Sequence, residues 1–248
     1  METTKQKAKW YGPKQIGMII FTGVLMLLSS CFVGGQTNTV LPYLAGMRGW
    51  SMSTLQLFSG ISCILDGAGI LIWARLSRKN AKLMAGIALI VMAICLVIFG
   101  FTTSLPLLCI VMFIMGLSSA CFSSTCAMTL TANWWPTKKG IVLGFTTMGI
   151  VAMNVVYVPG MPVLLNKFGV TGGMIIIAVI IALIGVWGLF IKETPEEAGE
   201  FPDGNPDYGT DGMDINKMMR EYKSPFTVGK ICSDKNTWLI GLGSMFAF

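Results

Sequence analysis

An all-α membrane fold, six hydrophobic helices in one bundle followed by the start of a seventh, is what this sequence predicts. Three observations lead there. Of 248 residues, 54% are hydrophobic and 12% charged, where a soluble domain carries about a quarter charged. The apolar residues fall into runs of about 20, the length that crosses a hydrocarbon core at about 1.5 Å per residue. If successive runs cross in alternation, sixteen of the eighteen Lys and Arg lie on one side. Strands of a β-barrel would be runs of about ten residues alternating at every second position, a pattern absent from this sequence.

In chain order the runs are 16–41, 53–75, 82–101, 105–131, 140–165 and 171–191. A seventh, 237–248, is too short to cross. Lys5, Lys7, Lys9 and Lys14 precede the first span, Arg75, Arg78, Lys79 and Lys82 join the second to the third, and Lys138 and Lys139 join the fourth to the fifth. Only Arg48 and Lys167 fall on the other side, which predicts a cytoplasmic N-terminus. The layout is then a cytoplasmic N-terminus over 1–15, the bundle over 16–192, a cytoplasmic central loop over 193–236 and the start of a span over 237–248. Trp10, Trp134 and Trp135 read as interfacial anchors, and the eighteen Met as adaptable packing.

Composition excludes several chemistries. There is no histidine, which removes His-based nucleophile activation, zincin motifs and His proton relays. Cys31, Cys63, Cys95, Cys109, Cys121 and Cys126 lie within apolar runs, form no C-x-x-C pair and read as small apolar residues. Ten of the twelve acids lie from Glu193 onward, so the net charge of +6 reflects short basic loops and no nucleic-acid-binding face. That acidic stretch reads as a solvated linker. Asp203, Asn205, Asp207 and Asp214 fit positions of a calcium-loop template, but Tyr208 stands where the turn glycine belongs. No metal, cofactor or enzymatic activity is expected.

Six spans, a basic loop after the second and a long polar loop before a seventh resemble the N-terminal half of a major facilitator superfamily transporter. The loop Arg75-Leu76-Ser77-Arg78-Lys79 is similar to the superfamily signature after the second span, with Ala74 and Ser77 standing where an acid and a glycine recur. Asn133-Trp134-Trp135-Pro136-Thr137-Lys138-Lys139-Gly140, leading into Gly144, resembles the junction between spans 4 and 5 in the oxalate/formate antiporter and monocarboxylate transporter relatives. Pro42-Tyr43-Leu44 and Gly49-Trp50-Ser51 are similar to the same group. The resemblance implies a half built of two inverted three-helix repeats, with spans 1 and 4 lining a central cavity. It also implies a second six-span half, or a second copy, as partner. The activity implied is secondary transport of a small solute by alternating access across the plasma membrane, with organic anions such as mono- or dicarboxylates favoured. A non-transporting accessory or remnant that packs against a partner is the alternative.

Candidate site residues follow from polarity inside spans. Asp66 is the one acid between Glu2 and Glu193; Ser59, Ser62, Asp66, Gly69 and Trp73 share a helical face. An ionisable group within a span is costly, so Asp66 reads either as a proton-coupling or gating carboxyl, with Arg75, Arg78 and Lys79 at the adjoining loop, or as a helix-packing one. Arg75 is about 14 Å along the helix, too far to pair directly. Gln36, Asn38 and Thr39 in span 1, Ser123 and Thr125 in span 4, and Asn154 and Tyr157 in span 5 are cavity candidates or interhelical glue. Gly140 and Gly144 suggest a close helix contact, and Pro159-Gly160-Met161-Pro162 an interruption of span 5.

Overall fold

The computed structural model describes residues 11–77, 80–205 and 228–239, which are helical, with no strand among them. Span 1 is α1 (Pro13–Ser30) and α2 (Gln36–Arg48), joined without a break by π-helical turns over Cys31–Gly35. Pro13 opens α1 where its missing N–H is no loss, and Gly49, at φ 66°, ends α2 in the left-handed conformation. Span 2 is α3 (Met52–Leu76) and span 3 is α4 (Ala81–Phe101). Span 4 is α5 (Leu105–Ala120) and α6 (Met128–Trp134), again joined by π-helical turns, over Cys121–Ala127.

The remaining run, α7 (Lys139–Phe190), folds back on itself at Gly169, whose φ of 69° and ψ of 177° suit essentially glycine alone. Both arms reach one level of α1. Thr146 hydrogen-bonds Thr22 at 3.3 Å, while Trp187 packs edge-on against Phe21 at 5.2 Å. At the far end Tyr43 donates to the Leu165 carbonyl and Thr171 to the Gly100 carbonyl. Five helices are long and apolar enough to cross a membrane, and the reversal in α7 makes six crossings among the described residues.

Two expectations for span 5 are corrected here. The helix runs through Pro159 and Pro162 and breaks instead at Gly169, since the two lost backbone donors are tolerated within a packed span but a positive φ is not helical. Gly140 and Gly144 have open space where a Cβ would stand; the close approach is Gly149 against the backbone of Gly23. Thr22–Thr146 lies one turn away, so spans 1 and 5 meet through small side chains and a hydroxyl pair, the contacts that hold helices together where burial from lipid gains little. Outward faces are apolar, with Ile64 72% and Phe190 78% exposed, as lipid contact requires.

At the basic end the chain after span 6 is no solvated linker over its first residues. Glu193 accepts the Ala81 N–H at 3.0 Å, placing a carboxylate at the N-terminus of α4. Lys14 donates to the Ala198 carbonyl at 2.6 Å and pairs with Glu200 at 3.5 Å. Asp203, 3% exposed, accepts from the Thr137 N–H, the Thr137 hydroxyl and the Lys138 N–H at 3.1, 2.7 and 3.1 Å. Residues 193–205 thus strap the ends of spans 1, 3 and 6 to the loop between spans 4 and 5. Of the calcium-loop positions, Asp203 therefore serves as a cap, Asn205 ends the described strap, and Asp207 and Asp214 lie outside the described residues. Trp134 and Trp135 are buried at 3% and 0%, not interfacial, because α6 meets the Pro202–Gly204 turn and the Trp134 indole donates to the Lys192 carbonyl. Trp10 and most of the predicted seventh span lie outside the described residues. A second unit, 209–248, is described over residues 228–239, where α8 (Val228–Ser233) forms a short helix.

Candidate transport site

The predicted polar face of span 2 lies against span 4. Ser62 donates to the Met112 carbonyl at 2.7 Å and the Trp73 indole to the Leu117 carbonyl at 2.8 Å. A Cβ at Gly69 would stand 2.9 Å from that of Ala120, and one at Gly116 would stand 2.5 Å from the Ser62 carbonyl oxygen. The π-helical turns explain why the Leu117 carbonyl accepts an indole. At their start the Cys121 N–H turns to Ser118, one residue short of its usual helical partner.

In this contact Asp66 is half-buried, with the Ser119 hydroxyl of span 4 beside it. Ser119 also meets Ser29 of span 1 at 3.3 Å. The chain Ser29–Ser119–Asp66 joins three spans. The Asp66 oxygen Oδ1 is buried with no hydrogen-bond partner, and the Gln36 amide nitrogen is in the same state. Gln36 lines a cavity of about 10 Å³, room for a single water, with Thr37, Ser59, Ser62, Ser119 and Phe32. Thr37 and Ser59 close it across spans 1 and 2 at 2.7 Å. Buried polar atoms rarely go unpaired, so the orphaned carboxylate oxygen and amide are among the exceptions in the bundle.

A second cluster joins spans 1 and 5. The Tyr157 hydroxyl lies beside Thr39, which donates to the Gly35 carbonyl at 2.7 Å, and the Tyr157 ring fills the space beside Gly35. Ser123 and Thr125 are buried but satisfy their own helix, donating to the carbonyls of Ser119 and Ala120. Asn38 and Asn154 are exposed on this bundle, away from both clusters. Arg75 is exposed at the end of α3, while Arg78 and Lys79 lie outside the described residues. Sequence reasoning found Asp66 and its face but missed Ser29; Ser119 reads from the sequence, like Ser123 and Thr125, as cavity lining or interhelical glue. The available signal was the seven-residue spacing of Thr22, Ser29 and Gln36, which puts three polar groups on one side of span 1.

Among the described residues no group of His, Cys, Asp and Glu is placed to hold a metal ion. What the arrangement offers is a small cavity lined by hydroxyls and one amide where spans 1, 2 and 4 meet, with Asp66 on the same face of span 2. No curated protein matches the sequence. The family model described as Major Facilitator Superfamily matches residues 18–248, nearly the whole chain, and with the all-helical bundle it shows that this protein belongs to that superfamily of secondary transporters.

Proposed function

We propose that this chain moves a small organic anion, a mono- or dicarboxylate, by alternating access, with the Ser29–Ser119–Asp66 chain as the polar switch between spans 1, 2 and 4. The observation that carries the proposal is the unpaired Asp66 oxygen at a close-packed crossing. A carboxyl there is held by a hydroxyl when neutral and demands a cation, a proton or water when charged. A change in its occupancy therefore shifts how closely spans 2 and 4 pack. The Gln36 amide, an unpaired donor beside the cavity, suits a carboxylate oxygen without adding charge. The likeness of the 133–140 junction to oxalate/formate and monocarboxylate carriers supports the same cargo class. In this reading the basic end faces the cytoplasm at the plasma membrane, and a second six-span half or second copy covers exposed Asn38 and Asn154.

Radiolabelled formate, oxalate and lactate uptake by cells expressing the protein, at several external pH values, tests this. Asp66→Asn is expected to cut uptake of the accepted anion about tenfold or more and flatten its pH dependence, with Ser119→Ala lying between. Unchanged uptake, pH dependence and inward/outward accessibility in Asp66→Asn would refute the switch; uptake of none of the three anions would refute the cargo class. Orientation is checked by impermeant thiol labelling of Arg48→Cys and Asn80→Cys in intact cells: only the first should react.

A further inference from the structure

Between α1 and the second arm of α7, at the basic end, lies a cleft of about 360 Å³ that takes no part in the polar network above. Its walls are apolar: Met18 of α1, Trp134 of α6, Trp187 of α7 and Ile191 just past its end. Gly17 gives it depth, since a Cβ there would meet nothing within 4 Å. The Trp187 ring is held edge-on by Phe21 yet remains 41% exposed, so its face is a fixed wall. Leu183, Trp187 and Ile191 follow at four-residue spacing, an apolar stripe leading from the cleft toward the middle of the membrane.

The rim is charged with both signs. Lys14 is already engaged by Glu200 and the Ala198 carbonyl. Lys192, exposed, makes no ion pair among the described residues. Glu197 spends one oxygen on the Glu193 N–H at 3.3 Å, and its other oxygen meets no donor among the described residues. One open cation and one open carboxylate oxygen over an apolar trough complement a zwitterion with a hydrocarbon tail. We propose that this cleft binds an aminophospholipid, phosphatidylethanolamine. Its phosphate rests on Lys192, its ammonium donates to Glu197, and one acyl chain runs along Leu183–Trp187–Ile191. A purely anionic headgroup would meet Glu197 as a like charge, and a choline headgroup has no N–H to donate. Bound there, the lipid ties span 6 and the strap to span 1.

Purified full-length protein in detergent is titrated with phosphatidylethanolamine, phosphatidylglycerol or phosphatidylcholine of the same chains, reading melting temperature and quenching of tryptophan fluorescence by chain-brominated lipid. Phosphatidylethanolamine is expected to stabilise and quench at the lowest concentration. Lys192→Gln and Glu197→Gln, both at exposed positions, should each raise the midpoint about fivefold, the weight of one interfacial charge. Lys167→Gln at the opposite end should leave it unchanged, and Glu197→Lys should reverse the preference toward phosphatidylglycerol. Equal response to all three lipids, equal stabilisation by chain-free phosphoethanolamine, or midpoints unmoved in Lys192→Gln and Glu197→Gln would each overturn the proposal.

Discussion

Removing the Asp203 carboxylate tests whether the strap is structural. Its two oxygens take three donors from Thr137 and Lys138 while the residue itself is 3% exposed. Hydrogen bonds to an ionised group contribute about 1.5–3 kcal/mol each when lost cleanly. Thr137 is exposed and water can replace part of the loss, so we expect Asp203→Ala to cost the local structure about 3 kcal/mol. The backbone adds a second, separable effect: Asp203 sits at φ 56°, where alanine is disfavoured by about 1 kcal/mol and glycine is not. Asp203→Gly should therefore cost about 1 kcal/mol less than Asp203→Ala, and Asp203→Asn, with one acceptor left and tolerance of that backbone, less again. Hydrogen exchange of a peptide spanning 134–142 reads the effect at the two amides concerned. From the lost hydrogen bonds alone, Asp203→Ala should lower protection of the Thr137 and Lys138 amides roughly 150-fold, since about 1.4 kcal/mol is a factor of ten, and the backbone effect lowers it further. Protection unchanged in Asp203→Ala, or Asp203→Gly more damaging than Asp203→Ala, would refute the capping argument.

Two further outcomes check the packing of the bundle, both by melting of the detergent-solubilised protein. Gly149→Ala drives a methyl into the backbone of Gly23, which has no side chain to move aside, and should cost about 1–3 kcal/mol, whereas Gly144→Ala, facing open space, should melt like the parent. Gly169→Ala forces an L side chain into a backbone reserved for glycine and should cost about 1–3 kcal/mol or misplace span 6, seen as loss of the edge-on Trp187 environment in near-ultraviolet circular dichroism.

Crossing helices were legible in the sequence because each is a local composition long enough to traverse lipid. The boundaries were not. Span 1 continues past the predicted 41 to Arg48 through Pro42, since a helix emerging from the membrane needs no apolar residues to persist. The strap was invisible for a different reason. Its contacts join Ala81 to Glu193, Lys14 to Glu200 and Thr137 to Asp203, pairs too far apart for any local period to signal. An acidic, proline-containing stretch looks the same from its composition whether it is solvated or docked on a basic end. Trp134 and Trp135 followed from the same blindness: without the strap they read as lipid anchors, and beneath it they are core.

The candidate site was half legible, and the two π-helical segments mark where legibility ended. Helical periodicity placed Ser59, Ser62, Asp66, Gly69 and Trp73 on one face of α3, a regular helix, and the structure packs that face on span 4. In spans 1 and 4 the same rule loses its phase. A π-turn takes up an extra residue and rotates everything beyond it by about 100° relative to a continuous α-helix. The turns fall at Cys31–Gly35 and Cys121–Ala127, immediately beside the polar stretches in question. Gln36 is consequently buried against spans 2 and 4, whereas Asn38 faces outward and Thr39 turns to Tyr157. In span 4, Ser119 lies before the turns and stands beside Asp66, while Ser123 and Thr125 lie within them and spend their hydroxyls on backbone carbonyls of the same helix. The irregular turns thus set which hydroxyls face a neighbouring span and which are consumed in holding their own helix together.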